Sequence, residues 1–176
     1  MAAGSGKFTY ILFGSQTGNA EEIASGLSTV CTEELMLPNV QLGTLNSISK
    51  NLEDLKNNAQ LLLIVCSTTG NGDAPENADA FWRAIKLRSV AKNLFENVPY
   101  YVLGLGDTNY DKFCYIGKAI DKRINELGGN RVMPAECADE ATGLEEVVDK
   151  WLQNATELAK KMNCSEEADS ERGECS

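Results

Sequence analysis

Hydrophobic positions along this chain follow two alternating rhythms. Tyr10-Ile11-Leu12-Phe13 is a short unbroken apolar run that stops at Gly14, as a buried strand would. Ala20, Ile23, Ala24, Leu27, Val30 and Cys31 then recur at helical spacing. Val40 to Gly43 predicts a weaker second strand. Leu61-Leu62-Leu63-Ile64-Val65-Cys66 is continuously apolar, the pattern of a strand covered on both faces. Pro75 to Arg88 predicts a helix with Ala78, Phe81, Trp82 and Ile85 inward, and Tyr100 to Leu105 a third strong strand. A helix over Ile116 to Leu127 stops at Gly128-Gly129, and Arg131-Val132-Met133 reads as a short strand before Pro134. Thr142-Gly143-Leu144-Glu145 has the spacing of a capping box. Behind it Leu144, Val147, Val148, Trp151, Leu152, Ala155 and Leu158 give the last helix its apolar stripe.

Strands alternating with helices predict an α/β fold, a parallel sheet covered on both faces. Ligands of such sheets sit beyond the carboxyl ends of the strands, at the switch point. That end gathers three loops rich in Gly, Ser, Thr and Asn: Gly14 to Ala20, Ser67 to Asn77, and Gly104 to Cys114. Residues 1–162 read as one domain. Residues 163–176 are polar and acidic, and read as a disordered tail or the start of a linker.

Composition narrows the chemistry. The net charge of −10 lacks the basic footprint that a phosphate backbone needs, so no nucleic acid is expected and a basic protein partner suits better. No apolar run reaches the roughly 18–20 residues of a membrane span, and no secretory signal pattern opens the chain. Six cysteines without metal-ligand spacing read as reduced thiols of a cytoplasmic protein, with no metal site expected. There is no His, which removes Ser-His and Cys-His nucleophiles, and no catalytic residue is expected.

The first loop reads GSQTGNAE and joins a strand to a helix. Free N–H groups and the positive end of the helix point at whatever sits there. Ser15, Thr17 and Asn19 add neutral donors, and Gly18 permits close approach, which suits a terminal phosphate held without Lys or Arg. The GxGxxG of a dinucleotide turn is absent. In the second loop, STTGNGDAPENA, Gly70 and Gly72 allow backbone conformations that other residues resist, as a ring needing neutral backbone groups at its edge would require. The third, GLGDTNYDKFC, carries Tyr110 to stack on a flat ring, with Phe113 beside it or in the core and Asp107 toward the ring edge.

In this order and spacing the three motifs resemble the flavodoxin-like FMN domains of diflavin reductases, over roughly Phe8 to Leu158. The resemblance implies a five-stranded sheet in the order 2-1-3-4-5. It implies an FMN phosphate on Ser15, Gln16, Thr17, Gly18, Asn19 and Ala20. The ring is then bordered by Ser67, Thr68, Thr69, Gly70, Asn71 and Gly72. Edge and stacking contacts come from Leu105, Gly106, Asp107, Tyr110, Phe113 and Cys114, with Asp139 near the rim. Many members have an aromatic where this chain has Thr69. That departure, with DKRINELGG and ADEATGLEEVVDKW, is most similar to the methionine synthase reductase family. The resemblance implies a monomeric electron carrier between an FAD- and NADPH-binding reductase domain, for which this chain is too short, and methionine synthase as acceptor. ENADAFWRAIK resembles the cytosolic diflavin reductase that feeds iron–sulfur assembly, which stays open as an alternative, as does a free-standing flavodoxin. A response regulator on the same fold would need an acidic cluster where the first strand ends in Gly14-Ser15.

Overall fold

Six apolar residues in a row leave no polar face for solvent, so Leu61 to Cys66 has to lie inside a sheet covered on both sides. In the computed structural model all six are 0% exposed. The structure describes residues 7–16, 18–69, 72–107 and 114–163, and the backbone alone of 164–175. The strands are β1 (Phe8–Gly14), β2 (Val40–Thr44), β3 (Ala59–Ser67), β4 (Pro99–Gly106), β5 (Asn130–Arg131) and β6 (Glu136–Asp139). The α-helices are α1 (Asn19–Thr29), α2 (Leu52–Asn58), α3 (Glu76–Lys86), α4 (Tyr115–Glu126) and α5 (Glu145–Cys175). Every strand pairing is parallel, in the expected order β2-β1-β3-β4-β5.

Alternation along the central strands divides the core in two. Tyr10, Leu12, Leu62, Ile64, Tyr100 and Val102 face α3 and α4, meeting Phe81, Ile85, Ile116, Ile120 and Ile124. Ile11, Phe13, Leu63, Val65, Tyr101 and Leu103 face α1 and α5, meeting Ala24, Leu27, Trp151, Ala155 and Ala159. Burying each large aliphatic or aromatic side chain contributes about 1.5–3 kcal/mol, which makes β3 the best-anchored strand. α4 lies directly on β4, because a Cβ on Gly117 would come 2.7 Å from the Gly104 Cα.

The fifth sheet position differs from the expected single strand. β5 is only Asn130–Arg131, pairing with the start of β4, while β6 pairs with its carboxyl half. Pro134 lies between them, has no N–H to donate, and interrupts the ladder. A bidentate ion pair fixes the short β5: Arg131 Nε and Nη2 donate to Asp121 Oδ1 and Oδ2 on α4 at 3.1 and 2.6 Å. The Tyr100 hydroxyl adds a bond to the Asp121 carbonyl at 2.9 Å. The capping-box reading also shifts. The Val148 N–H donates to the Leu144 carbonyl at 3.0 Å and α5 begins at Glu145, so Leu144 rather than Thr142 stands before it. The backbone of α5 runs as helix to Cys175, through the segment that the composition reads as tail. Among the described residues no helix is long and apolar enough to cross a membrane.

The buried ionisable groups predict an alkaline limit. Burial pushes the Cys66 thiol up to about 12 and the Cys31 thiol up to about 11. Burial, reinforced by Asp121, pushes the Tyr100 phenol up to about 12. In the unfolded chain these groups ionise near their ordinary values of about 8.5 for thiols and 10 for phenols. Above about pH 9 the unfolded chain therefore sheds protons that the native chain keeps, and stability falls as pH rises toward about 12. The expected slope approaches about 1.4 kcal/mol per pH unit for each group in its window. Urea unfolding at a series of pH values checks this; a flat profile between about pH 8 and 11 contradicts it.

Candidate functional site

The order reversal between β1 and β3 opens a crevice at the carboxyl end of the sheet, and the loops leaving those strands flank it. Gly18 precedes α1 with φ 99°, a left-handed conformation that Gly adopts freely. Its N–H donates to Ser15 Oγ at 2.8 Å, and among the described residues no side chain caps the first turn. The early N–H groups of α1 thus open toward the crevice, with Asn19 half-buried and Ala20 buried. Ser15 N–H donates to Asn77 Oδ1 at 2.8 Å, which ties this loop to the start of α3. A cleft of about 510 Å³ lies here, lined by Ser15, Gln16, Asn46, Glu76 and Asn77.

The second loop leaves β3 at Ser67. By alternation Ser67 lies on the sheet face that carries α1, and its Oγ is buried without a hydrogen-bond partner. Thr69 and Asp73 pair as a short antiparallel bridge, N–H to carbonyl at 2.8 and 2.9 Å in the two directions. Gly72, at φ 97°, donates to the Thr69 carbonyl. The third loop leaves β4 after Leu105 and Gly106. Thr68 N–H donates to the Leu105 carbonyl at 3.1 Å, and Ile116 N–H of α4 donates to Thr68 Oγ1 at 3.0 Å, so the second and third loops share a framework. Asp107 is half-buried, whereas Cys114, before α4, is fully buried with its thiol turned inward.

β6 brings up the far rim. Asp139 Oδ1 accepts from Ala141 N–H at 2.9 Å, Glu140 N–H donates to the Gly106 carbonyl at 2.7 Å, and Asn19 Nδ2 approaches Glu140 Oε1 at 3.4 Å. The loops after β1, β3, β4 and β6 thus form one cluster. Ser15, Gln16, Gly18, Asn19, Ala20, Ser67, Thr68, Thr69, Gly72, Leu105, Gly106, Asp107 and Asp139 all fall in it. Thr17, Gly70, Asn71, Tyr110 and Phe113 lie outside the described residues. A larger depression of about 680 Å³, flanked by Lys86, Arg88, Lys92 and Arg123, opens at the opposite end of the sheet, away from the loops.

Sequence reasoning misses Asn46 and Asn77 as site residues. Asn46 Nδ2 donates to the Glu76 carbonyl at 2.8 Å and its Oδ1 accepts from Phe81 N–H at 3.1 Å, so it positions α3 against the crevice. No motif marks it; only the placement of β2 beside β1 brings it there. Asn77 lay within the second predicted loop, at the first turn of a helix, and that position was the available signal.

A doubly wound parallel sheet in this order, with its loop cluster at the β1/β3 switch point, defines a flavodoxin-type α/β domain. The chain belongs to the flavodoxin family, whose family model, described as Flavodoxin, matches residues 11–151, and whose cofactor is FMN. It is 38% identical over 150 residues to NADPH-dependent diflavin oxidoreductase 1 of Xenopus laevis, covering 82% of this chain and 24% of that one. It is 39% identical over 143 residues to methionine synthase reductase of Caenorhabditis elegans, covering 81% of this chain and 20% of that one. The chain thus spans about a quarter or less of the length of these relatives. Among solved structures it is similar to oxidised Flavodoxin 2 of Bacillus cereus, with a TM-score of 0.68 and 25% identity, over 88% of this chain and 99% of that one.

Proposed function

We propose that this domain holds FMN in the crevice and relays single electrons from a reductase domain carrying FAD and NADPH to a protein acceptor. The observation that carries the reading is the uncapped start of α1, on the same sheet face as the orphaned Ser67 hydroxyl. A buried polar atom without a partner costs about 1–3 kcal/mol, and a helix N-terminus is a ready anion site. A phosphorylated polar ligand answers both.

On this reading Ser15, Gln16, Thr17, Gly18, Asn19 and Ala20 hold the phosphate through backbone N–H groups and short neutral side chains. Ser67, Thr68, Thr69, Gly70, Asn71 and Gly72 border the ring. Leu105, Gly106, Asp107 and Asp139 line its edge, and Tyr110 and Phe113 supply the aromatic contact. When bound, FMN supplies the capacity to take electrons in pairs and release them singly; the protein contributes binding, orientation and electrostatics. The loops position the flavin, and the acidic residues Asp73, Asp107, Asp139 and Glu140 give the rim its negative charge.

The proposed acceptor is methionine synthase, supported by the likeness to methionine synthase reductase, by DKRINELGG and by ADEATGLEEVVDKW. The nearly equal likeness to NADPH-dependent diflavin oxidoreductase 1 supports the second reading, an acceptor in cytosolic iron–sulfur assembly. On either reading the proposed location is the cytoplasm.

The first test is affinity. FMN is expected to bind at least about tenfold, or 1.4 kcal/mol, tighter than riboflavin, because only FMN carries the charge that α1 receives. Equal titration curves for the two would sink the phosphate assignment. Transfer from the reduced domain to methionine synthase, compared with transfer to an iron–sulfur assembly acceptor, decides between the two readings.

A further inference from the structure

Beside the crevice, three cysteines surround one glycine. Cys66 on β3 is in register with Gly104 on β4, and Gly104 is in register with Cys137 on β6. In a parallel sheet, residues in register point to the same face, here the face that carries α4. Gly104 has no side chain, and Cys114 fills the space above it. Its Sγ lies 3.6 Å from where a Gly104 Cβ would be and 3.9 Å from the Ala138 carbonyl. Ala138, whose carbonyl that sulfur approaches, directly follows Cys137 on β6, so Cys114 lies against the stretch of β6 that carries Cys137.

We propose that Cys114 and Cys137 are a thiol–disulfide modification site, which a small-molecule disulfide oxidises to an internal cross-link between the start of α4 and β6.

Geometry favours this pair: Cys66 Sγ turns toward β1, 3.0 Å from where a Gly14 Cβ would be, whereas Cys114 Sγ lies by the Ala138 carbonyl on β6. Adjacent strands lie about 4.8 Å apart, so Cys66 and Cys137, two strands apart, are separated by about 10 Å and cannot be bridged directly. Reactivity selects the order of events. The neighbouring Cys114 thiol holds the Cys137 thiol below its ordinary value, with help from Lys118 and against burial, Glu136 and Asp121. Cys137 in turn, together with burial, pushes the Cys114 thiol up, and burial raises the Cys66 thiol. Cys137 is also only partly buried, whereas Cys66 and Cys114 are fully so. The Cys137 thiolate attacks one sulfur of the small disulfide, breaking its S–S bond and releasing one small thiol after protonation. Cys114 then loses its proton and attacks the Cys137 sulfur, forming the internal S–S bond and releasing the second small thiol. The protein pair loses two hydrogens, and the reagent gains them.

The cross-link would fasten Cys114, the last residue of the third loop, to the strand that ends in Asp139. The inference does not depend on FMN, since thiol mapping reads it directly. The FMN-loaded chain is incubated with oxidised glutathione, and its peptides are mapped without reduction. The expected result is a Cys114–Cys137 link, loss of two of the six thiols, and recovery with a dithiol reductant. Cys137→Ser should abolish the link and leave Cys114 a free thiol. A link between Cys66 and Cys114, a lasting glutathione adduct on Cys137 with Cys114 free, or both thiols unchanged would each overturn the proposal. The wild-type map alone is decisive should the variant fold poorly.

Discussion

Trp151→Ala is expected to destabilise this chain by about 3–5 kcal/mol, the usual loss for removing a buried Trp. Trp151 is fully buried on α5 and stacks on Tyr101 of β4, with centroids 5.2 Å apart and planes at 21°. Ala155 and Ala159, one and two turns on, are too small to fill the space it would leave. The indole Nε1 is buried with no hydrogen-bond partner, so Trp151 stabilises by packing alone. Trp151→Phe should therefore be mild, within about 1.5 kcal/mol, because lost volume is offset by removal of the orphaned donor. For a chain of this size the Ala variant should melt about 6–20 °C lower. A loss under about 1 kcal/mol would mean that α5 does not seal this face of the sheet.

Gly117→Val is expected to cost about 3 kcal/mol or more, and Gly117→Ala about 1–3 kcal/mol. The added Cβ would meet the Gly104 Cα at 2.7 Å, and backbone cannot turn aside as a flexible side chain can. α4 would have to lift from β4, stretching the bond from Ile116 N–H to Thr68 Oγ1 that joins the second and third loops. Stability and FMN affinity should thus fall together. Thermal melts and flavin titration of both variants check this. A Val variant that melts with the wild type would show that α4 does not touch β4 at this point.

Legibility followed physical cause. β3 was plain because continuous apolar sequence has few alternatives, and α1, α3 and α4 because one-sided burial imposes a helical period. α2 was not, since Leu52–Asn58 is a single short stretch with only Leu55 fully buried. β6 was not either. Glu-Cys-Ala-Asp carries no strand signal of its own, and β4 imposes the pairing. The same division holds at the site. Loops leaving strands for helices announce themselves through Gly, Ser, Thr and Asn. Asn46, Asn77 and Cys137 matter through neighbours far away in sequence, and only the sheet order brings them into place.

The start of α1 has a practical consequence. No Lys or Arg stands among Ser15 to Ala20, so on the proposed reading the phosphate is held by short-range backbone dipoles in a sheltered crevice. Attraction between the acidic rim and a basic partner acts instead through solvent, where salt screens it over about 8–10 Å. Added salt therefore weakens one attachment far more than the other. Washing a captured complex with increasing salt should release this domain from its protein partner while it is still yellow.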